Sequence, residues 1–232
     1  MPADPGVSRE TPPRPILPVF HVKHPQSQIL ANIIASAKLP ESAVAALETF
    51  AELLLRWNRT VNLIARSDEL NLWGRHIADS LQLIPYLPPF PARAIDLGSG
   101  GGFPGLILAI ATGIPFDLIE SDQRKCIFLR EAARVTGAPA TVHPMRIEAA
   151  NIAPASLITA RALASLPNLL TLAAPLLVEN GVCLFLKGAN ADAELTAATT
   201  GWHMRVERFP SRTAPSANIL RISEIAIAEP RA

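Results

Sequence analysis

The sequence predicts an α/β fold in which helices cover both faces of a mostly parallel sheet, preceded by an N-terminal helical cap. The first observation is a short apolar strand over 93–97 that runs into the loop Gly98 to Gly102 and then into a helix from Leu106 onward. The second is that short apolar segments and segments of helical periodicity alternate after this point, as in parallel sheets. The third is a C-terminal pair of apolar segments, joined by a Pro- and Ser-containing loop, which indicates an antiparallel hairpin.

Composition limits the class of protein. The 232 residues, 49% of them apolar, suit one domain with an appendage and a full core. No apolar run approaches the ~18 residues of a membrane helix, so we expect no membrane association. A formal charge of +1 argues against tight non-specific binding to naked nucleic acid, which needs many phosphate contacts. The two cysteines, Cys126 and Cys183, lie far apart, which indicates neither a disulfide nor a metal site and favours a reducing cytoplasm.

The chain is predicted to divide into a tail, a cap and a larger domain. Seven of the first 25 residues are proline, so residues 1–25 are predicted to be a disordered tail. Residues 26–90 are predicted to form the helical cap, and residues 91–232 the α/β domain. The cap helices are expected over 26–39, 41–58 and 68–86, where apolar residues recur at helical spacing. The third of these is expected to bury one face formed by Leu70, Trp73, Ile77, Leu81 and Ile84.

The charge around the glycine loop indicates the kind of ligand that it binds. Read from Gly100, the loop contains G-x-G-x-x-G, which alone is a weak fingerprint of a dinucleotide site. The glycine run begins at Gly98, however, and in that register Phe103 takes the third glycine position. Asp96, at the end of the preceding strand, would repel a pyrophosphate at the helix N-terminus. S-adenosylmethionine carries positive charge and no phosphate, and D-x-G-x-G-x-G, which ends at Gly102, resembles the first motif of Rossmann-like methyltransferases.

The rest of the chain supplies the other elements of the sheet. A strand over 116–119 closes on Glu120, which follows Asp96 by 24 residues and suits either a receptor of ribose hydroxyls or a cap of the next helix. Arg161 follows the fourth strand, at the sheet edge where such folds hold ligands. The other predicted elements are strands over 140–144, 157–160, 182–186, 203–209 and 219–227 and helices over 121–136, 169–177 and 191–199. This order predicts a seven-stranded Rossmann-like sheet.

The third predicted helix carries the polar segment Arg75-His76-Ile77-Ala78-Asp79-Ser80. On a regular helix Arg75 and Asp79 are four residues apart and can pair across one turn. Taken alone, this segment is typical of a solvated helix face.

Several segments together resemble one known family. They are Asn62-Leu63, Arg75 to Ser80, Asp96 to Gly105, Arg161 to Leu166 and Leu186-Lys187-Gly188. In this order they resemble the RsmG (GidB) family of bacterial enzymes, which methylate N7 of a guanine in 16S ribosomal RNA. The likeness extends from about Trp57 to Lys187. Thr159-Ala160 replaces the Ser that commonly precedes Arg161, and Phe103 stands where Leu is frequent.

The resemblance implies a class I S-adenosylmethionine-dependent methyltransferase fold and roles for the matching residues. Gly98 and Phe103 match positions of the cofactor loop, and Ile147 and Glu148 match positions that line the adenine. Arg161 matches an arginine beside the cofactor and the target base, so we expect it to be the catalytic residue. The predicted cofactor contacts are therefore Asp96, Gly98, Gly100, Gly102, Phe103, Glu120, Ile147, Glu148 and Arg161. The implied target is guanine 527 of 16S ribosomal RNA in the small ribosomal subunit or its precursor.

The chemistry of this reaction agrees with the residues present. Guanine N7 has a lone pair and no proton, so it attacks a sulfonium methyl without a general base, and catalysis is mostly alignment. The usual bidentate contact of an arginine to guanine O6 and N7 would block the nucleophile. We therefore expect Arg161 to contact O6, a phosphate or the cofactor carboxylate, and to leave N7 free.

The surface that faces RNA is predicted from basic residues around the cofactor loop. The predicted contacts are Arg75, His76, Arg124, Lys125, Arg146 and Lys187, with Arg56, Arg59 and Arg66 nearby. Because the net charge is small, we expect poor activity on free RNA and higher activity on a folded ribosomal particle. We also expect the protein to be a monomer.

Two other functions are compatible with the glycine loop. A methyltransferase of a protein or small molecule would use the same cofactor half, and a non-catalytic dinucleotide-binding module would share the glycine loop. Exocyclic-amine methyltransferases carry [DNS]-P-P-[YF], whereas Leu87-Pro88-Pro89-Phe90 begins with an apolar residue. Carbon-5 pyrimidine methyltransferases need a nucleophilic cysteine, and Cys126 and Cys183 fall within a predicted helix and strand, where a core role is expected.

Overall fold

A computed structural model describes residues 25–89 and 91–228. The predicted tail, 1–25, therefore falls almost entirely outside the described residues. The helices are α1 (Pro25–Ala37), α2 (Glu41–Trp57), α3 (Ala78–Leu81), α4 (Gly105–Thr112), α5 (Gln123–Thr136), α6 (Leu166–Ala173) and α7 (Ala191–Ala198). None of the helices in the described ranges is long and apolar enough to cross a membrane.

One sheet of seven strands runs through the described part of the chain in the order β3-β2-β1-β4-β5-β7-β6. The strands are β1 (Ala94–Leu97), β2 (Phe116–Glu120), β3 (Ala140–Pro144), β4 (Ala155–Arg161), β5 (Leu177–Lys187), β6 (Trp202–Pro210) and β7 (Asn218–Ile227). The first five strands pair in parallel, and β7 enters between β5 and β6 in antiparallel pairing. The predicted class of fold, the seven strands and the terminal hairpin are thus confirmed.

The sheet separates two layers of apolar side chains. Side chains of a strand alternate between its two faces, so Ile95 and Leu97 of β1 pack with α6 and α7, whereas Ala94 packs with α4 and α5. Both faces are covered by helices, which explains why β1 and β2 are buried over their whole length rather than on one face only.

The N-terminal helices share the core of one sheet face. Buried residues of α1, α2 and α3, including Ile33, Phe50 and Leu81, belong to the same apolar cluster as α4 and α5. The rings of Phe50 and Phe103 pack nearly perpendicular to each other with 5.6 Å between their centres, so the cap also supports the glycine loop. The apolar core therefore continues across the predicted boundary near residue 90 between the cap and the α/β domain.

The third predicted helix is broken into short pieces. They are a 3₁₀ helix, Arg66–Asn71, a π-helical turn, Trp73–Ile77, the single α turn α3 and a 3₁₀ turn, Ile84–Tyr86. Leu70 is fully exposed, so its predicted place on the buried face is wrong, because the 3₁₀ segment turns it toward solvent. Ile77 and Leu81 are fully buried, as expected.

The C-terminal hairpin is tied to the cap through side chains. Gln82 donates from Nε2 to the Ser211 hydroxyl over 3.1 Å and accepts from the backbone N–H of Arg212 over 2.8 Å. The rings of Tyr86 and Phe209 stack with centres 4.1 Å apart. These contacts bring the loop between β6 and β7 over the edge where the parallel strands end.

Candidate functional site

The glycine loop between β1 and α4 is fitted closely to its surroundings. Gly98 has φ +64°, and a Cβ there would lie 2.7 Å from a methyl carbon of Leu163. The positive φ favours glycine at this position, whereas the Leu163 methyl is the end of a flexible side chain that can move aside. The backbone N–H of Gly100 donates to Glu120 Oε2 over 2.8 Å, which fixes the loop to the end of β2.

Glu120 lies at the carboxyl end of β2, where the spacing predicted a polar receptor. Its second oxygen accepts from the backbone N–H of Asp122 over 2.8 Å, and the residue is 8% exposed on the wall of a cleft. Asp122, rather than Glu120, caps α5 with its side chain, which accepts from the N–H groups of Arg124 and Lys125. Asp122 therefore takes the helix-capping role that was the alternative for Glu120.

Asp96 lies beneath the loop and outside the cleft wall. It is fully buried, and Oδ1 accepts from the hydroxyl of Thr159 over 2.5 Å, because the register of β1 and β4 places these residues side by side. Burial raises the pKa of Asp96 to about 6, against opposing hydrogen bonds from Thr159 and Ser99. The sequence predicts that this carboxylate contacts the cofactor directly. The burial of Asp96 below the loop, outside the cleft wall, corrects that expectation.

A cleft of about 800 Å³ opens above the glycine loop, a size typical of small-molecule sites. It is lined by the predicted residues Gly98, Gly100, Phe103, Glu120, Ile147, Glu148 and Arg161. We call it the first cleft. Gly102 is buried behind it, against Leu106, and so supports the loop without facing the cleft.

Arg161, the last residue of β4, holds a central place in the site. Its Nη1 donates to Asp79 Oδ2 and to the backbone carbonyl of Arg75, each over 3.3 Å, and its Nη2 donates to His76 Nδ1 over 2.7 Å. Its guanidinium carbon lies 4.9 Å from the centre of the Phe103 ring. A guanidinium has five N–H donors, so these three contacts leave donors for a ligand.

His76 links Arg161 to an acidic residue. Because Nδ1 accepts from Arg161, the proton lies on Nε2, which donates to Asp68 Oδ2 over 3.1 Å. Burial and the charge of Arg161 lower the pKa of His76 to about 4, although Asp68 opposes the shift. The expected pairing of Arg75 with Asp79 is absent from the described contacts, since Arg75 Nε donates to Asp68 and Asp79 receives Arg161.

A second cleft of about 720 Å³ adjoins the first one. The two share His76 and the segment Arg161–Ala164. The second cleft is bounded by Asp68, Arg75 and Asp79 on the cap side, by 186–190 and Glu194 on the sheet side, and by residues of the loop 213–217. The end of β4 is therefore the common wall of two cavities.

The predicted RNA contacts fall into two groups. Arg75 and Arg146 are exposed at the second and the first cleft, Arg124 is exposed on α5 and lines neither cleft, and Lys125 is half-buried on the wall of the first cleft. Lys187 is 8% exposed, with Nζ 2.6 Å from Glu194 Oε2 and 2.7 Å from the carbonyl of Ala164. Lys187 therefore does not belong to the exposed surface, because both contacts turn the ammonium inward, although the residue lines the second cleft. His76 is likewise buried, against Arg161 and Asp68, and lines both clefts. Contact of these two residues with RNA stays a prediction.

Several residues of the site were missed in the sequence. Asn58 is buried, and its Oδ1 accepts from the N–H groups of Leu63 and Ile64, which holds the loop above the first cleft. Asp68 and Thr159 were not assigned roles either. Thr159 meets Asp96 only through the tertiary fold. Asn58 and Asp68 bind residues five to eight positions along the chain, in a segment that is not a regular helix, so helical spacing gave no indication of them.

Solved structures of similar shape support the fold. The structure matches the ribosomal protein L11 methylase from Lactobacillus delbrueckii subsp. bulgaricus with a TM-score of 0.53 and 17% identity, over 64% of this chain and 78% of that one. A TehB-like SAM-dependent methyltransferase from Corynebacterium glutamicum matches with a TM-score of 0.53 and 19% identity, over 68% and 93% of the two chains. At these identities the likeness establishes the class of fold.

Sequence relatives are much closer. A protein named ribosomal RNA small subunit methyltransferase G from Granulibacter bethesdensis is 55% identical over 210 residues, which cover 89% of this chain and 99% of the relative. A protein of the same name from Acidiphilium cryptum is 59% identical, over 77% of this chain and 84% of the relative. The profile of the GidB family, described as rRNA small subunit methyltransferase G, matches residues 43–219. The chain belongs to the GidB family of small-subunit ribosomal RNA methyltransferases.

Proposed function

We propose that this enzyme transfers a methyl group from S-adenosylmethionine to N7 of guanine 527 in 16S ribosomal RNA. The observation that carries the proposal is the placement of Arg161 on the common wall of two adjoining clefts. One cleft is built on the glycine loop, and the other is large enough for a nucleobase. Such an arrangement suits a transfer between two ligands that meet at the end of β4.

The residues of the first cleft fit S-adenosylmethionine. Glu120 uses one lone pair of each oxygen for the backbone, which leaves others for ribose hydroxyls. Ile147 and Glu148 lie in a 3₁₀ turn after β3, where a backbone N–H and a carboxylate can read an adenine edge. Acidic and basic side chains both line the cleft, which suits a ligand that carries charges of both signs. When bound, this cofactor supplies a methyl group on a positively charged sulfur.

The chain's own residues act by positioning. Guanine N7 bears no proton, so no residue has to remove one, and the task is to align two ligands. Arg161 keeps donors for guanine O6, a phosphate or the cofactor carboxylate, and this choice leaves N7 free. Phe103 and Asp79 fix the plane of the guanidinium.

We further propose that RNA docks on Arg75 and Arg146, which are exposed at the clefts, and on Arg124, which is exposed on α5, with Lys125 on the wall of the first cleft. A substrate inside the small ribosomal subunit or its precursor implies action in the cytoplasm. The two clefts are formed by one chain, so a monomer suffices for the reaction.

The test is to incubate the protein with labelled S-adenosylmethionine and small ribosomal subunits that lack this methylation. We expect one labelled nucleotide, 7-methylguanosine at position 527, located by nuclease mapping and mass spectrometry. Label in ribosomal protein, or at another nucleotide, would contradict the proposed target. Calorimetry with S-adenosylmethionine and with NADH tests the cofactor separately, and binding of NADH alone would overturn that part.

A further inference from the structure

We propose that the second cleft receives the target guanine and that Asp68 reads its Watson–Crick edge, accepting from N1–H and the N2 amino group, while Arg161 donates to O6. This inference rests on the proposed function and assigns a specificity residue to it. RNA-modifying enzymes commonly extrude the target base and read that edge by hydrogen bonds.

The order of the hydrogen-bonding side chains from Arg161 to Asp68 matches the order of the polar atoms around guanine. Arg161 borders both clefts, His76 lies next to it, and Asp68 follows and borders only the second cleft. In guanine the order is N7, O6, N1 and N2. With N7 toward the first cleft, O6 therefore faces the guanidinium, and the N–H donors face the carboxylate.

Asp68 has an oxygen available for this contact. Arg75 Nε and His76 Nε2 both donate to Oδ2, over 3.2 and 3.1 Å, and no residue of the described ranges donates to Oδ1. The side chain is 22% exposed, toward the second cleft. The neighbouring Asp79 is less suitable, because Gln82, Thr213 and Arg161 occupy its two oxygens.

The pair of Arg161 and Asp68 would distinguish guanine from adenine. Guanine presents an acceptor at O6 beside a donor at N1, whereas adenine presents a donor at N6 beside an acceptor at N1. The donor of Arg161 and the acceptor of Asp68 pair with guanine at both positions. With adenine, the donor would face a donor and the acceptor would face an acceptor. Sites that hydrogen-bond a substrate group strongly reject analogues in which that group is lacking.

The test uses Asp68→Asn and small subunits reconstituted with guanosine or inosine at the target position. In this variant the amide oxygen must face His76 Nε2–H, so the new NH₂ group would meet the N–H donors of guanine. Inosine keeps N7, O6 and N1–H and lacks only the N2 amino group. We expect the wild type to methylate inosine with a kcat/KM about 10- to 100-fold lower than guanosine, the effect of one hydrogen bond to a charged group.

In Asp68→Asn we expect kcat/KM on guanosine to fall by about 10- to 100-fold and the guanosine-to-inosine ratio to approach one. The ratio does not depend on the fraction of active protein, so it remains informative if the variant folds poorly. Glu52→Gln, which removes an exposed carboxylate of α2, is the control and should keep the wild-type ratio.

The outcomes separate the two proposals. An unchanged ratio in Asp68→Asn, including an equal loss on both substrates, overturns the role of Asp68 and leaves the proposed function standing. If Glu194→Gln changes the guanosine-to-inosine ratio and Asp68→Asn does not, the opposite wall of the second cleft recognises the base. This result likewise overturns the role of Asp68. A wild type that does not methylate guanosine in the subunit contradicts the proposed function, and the inference falls with it.

Discussion

Arg161 shows how a single charged residue is held in a largely buried position. Burial lowers its pKa, and the carboxylate of Asp79 opposes that change. The ring of Phe103 lies beneath the guanidinium, and an aromatic face attracts a cation more strongly where water is excluded. A guanidinium fixed in this way loses little freedom when a substrate binds, which suits a residue whose task is alignment.

Replacement of Arg161 by Lys tests this role. Lys keeps the charge and loses the planar fork that contacts Asp79, His76 and the carbonyl of Arg75 together. We expect kcat for methylation of small subunits to fall about 100-fold, the loss typical of removing one catalytic hydrogen-bond donor. Arg134→Lys, on the exposed side of α5, is the matched control. An Arg161→Lys enzyme with wild-type kcat would refute the assignment.

His76 makes the stability of the protein depend on pH. Its pKa in the folded protein is about 4, below the ordinary histidine value of 6.5, so the unfolded chain takes up the proton first as pH falls. The stabilisation is therefore complete above pH 6.5 and is lost between pH 6.5 and about pH 4. The shift corresponds to a loss of about 3 kcal/mol in the free energy of unfolding.

Urea unfolding of the wild type and of His76→Gln at pH 7 and pH 4.5 measures this effect. The free energy of unfolding of the wild type, relative to that of the variant, should be about 2–3 kcal/mol lower at pH 4.5 than at pH 7, because Gln does not titrate. His203→Gln, at an exposed position of β6, should show no comparable change. A titration of the His76 ring by NMR with a midpoint above pH 6 would contradict the prediction.

At the scale of elements, the contact between β1 and α4 determines where the glycine loop sits. Alternation along β1 directs Asp96 toward α4, and Gly105 begins that helix directly above it. A Cβ at Gly105 would lie 2.4 Å from the Cβ of Asp96, a separation that real side chains do not adopt. Gly105 is thus required for close packing of helix on strand rather than for an unusual backbone conformation.

We expect Gly105→Ala to destabilise the protein by about 1–3 kcal/mol or more, since it overfills a packed contact. In a domain of this size that corresponds to a fall in Tm of several degrees. Gly201→Ala, at a position where a Cβ meets nothing within 4 Å, serves as the control. Calorimetry on both variants, together with binding of S-adenosylmethionine, measures the outcome. Equal melting temperatures would show that α4 can move away from β1 at little cost.

At the scale of the whole molecule, charge is evenly balanced. The 21 Lys and Arg residues are offset by 20 acidic residues, and several are held in ion pairs, such as Arg221 with Glu207 and Lys187 with Glu194. Affinity for RNA therefore cannot rest on a strong general attraction to phosphate. Shape complementarity to a folded ribosomal particle must supply a larger share of the binding energy.

We therefore expect methylation of small ribosomal subunits to exceed that of naked 16S RNA or a short oligonucleotide by at least about tenfold in kcat/KM. The measurement is transfer of labelled methyl groups at two salt concentrations, with the same number of target sites. The variant Arg146→Gln should lower kcat/KM on subunits, and Lys187 is not expected to act through phosphate. Efficient methylation of the oligonucleotide would contradict this account.

The sequence by itself determined the class of fold, the glycine loop and the place of Arg161. Apolar strands, glycines and strand ends are local patterns, and the carboxyl ends of parallel strands always meet at one edge. Only the tertiary structure decided that Asp96 and Lys187 are turned inward, that the third cap helix is broken, and that Asp68 and His76 support Arg161. Much of this burial and pairing depends on partners that are distant in the sequence, such as Thr159 for Asp96, His76 for Arg161 and Ala164 for Lys187.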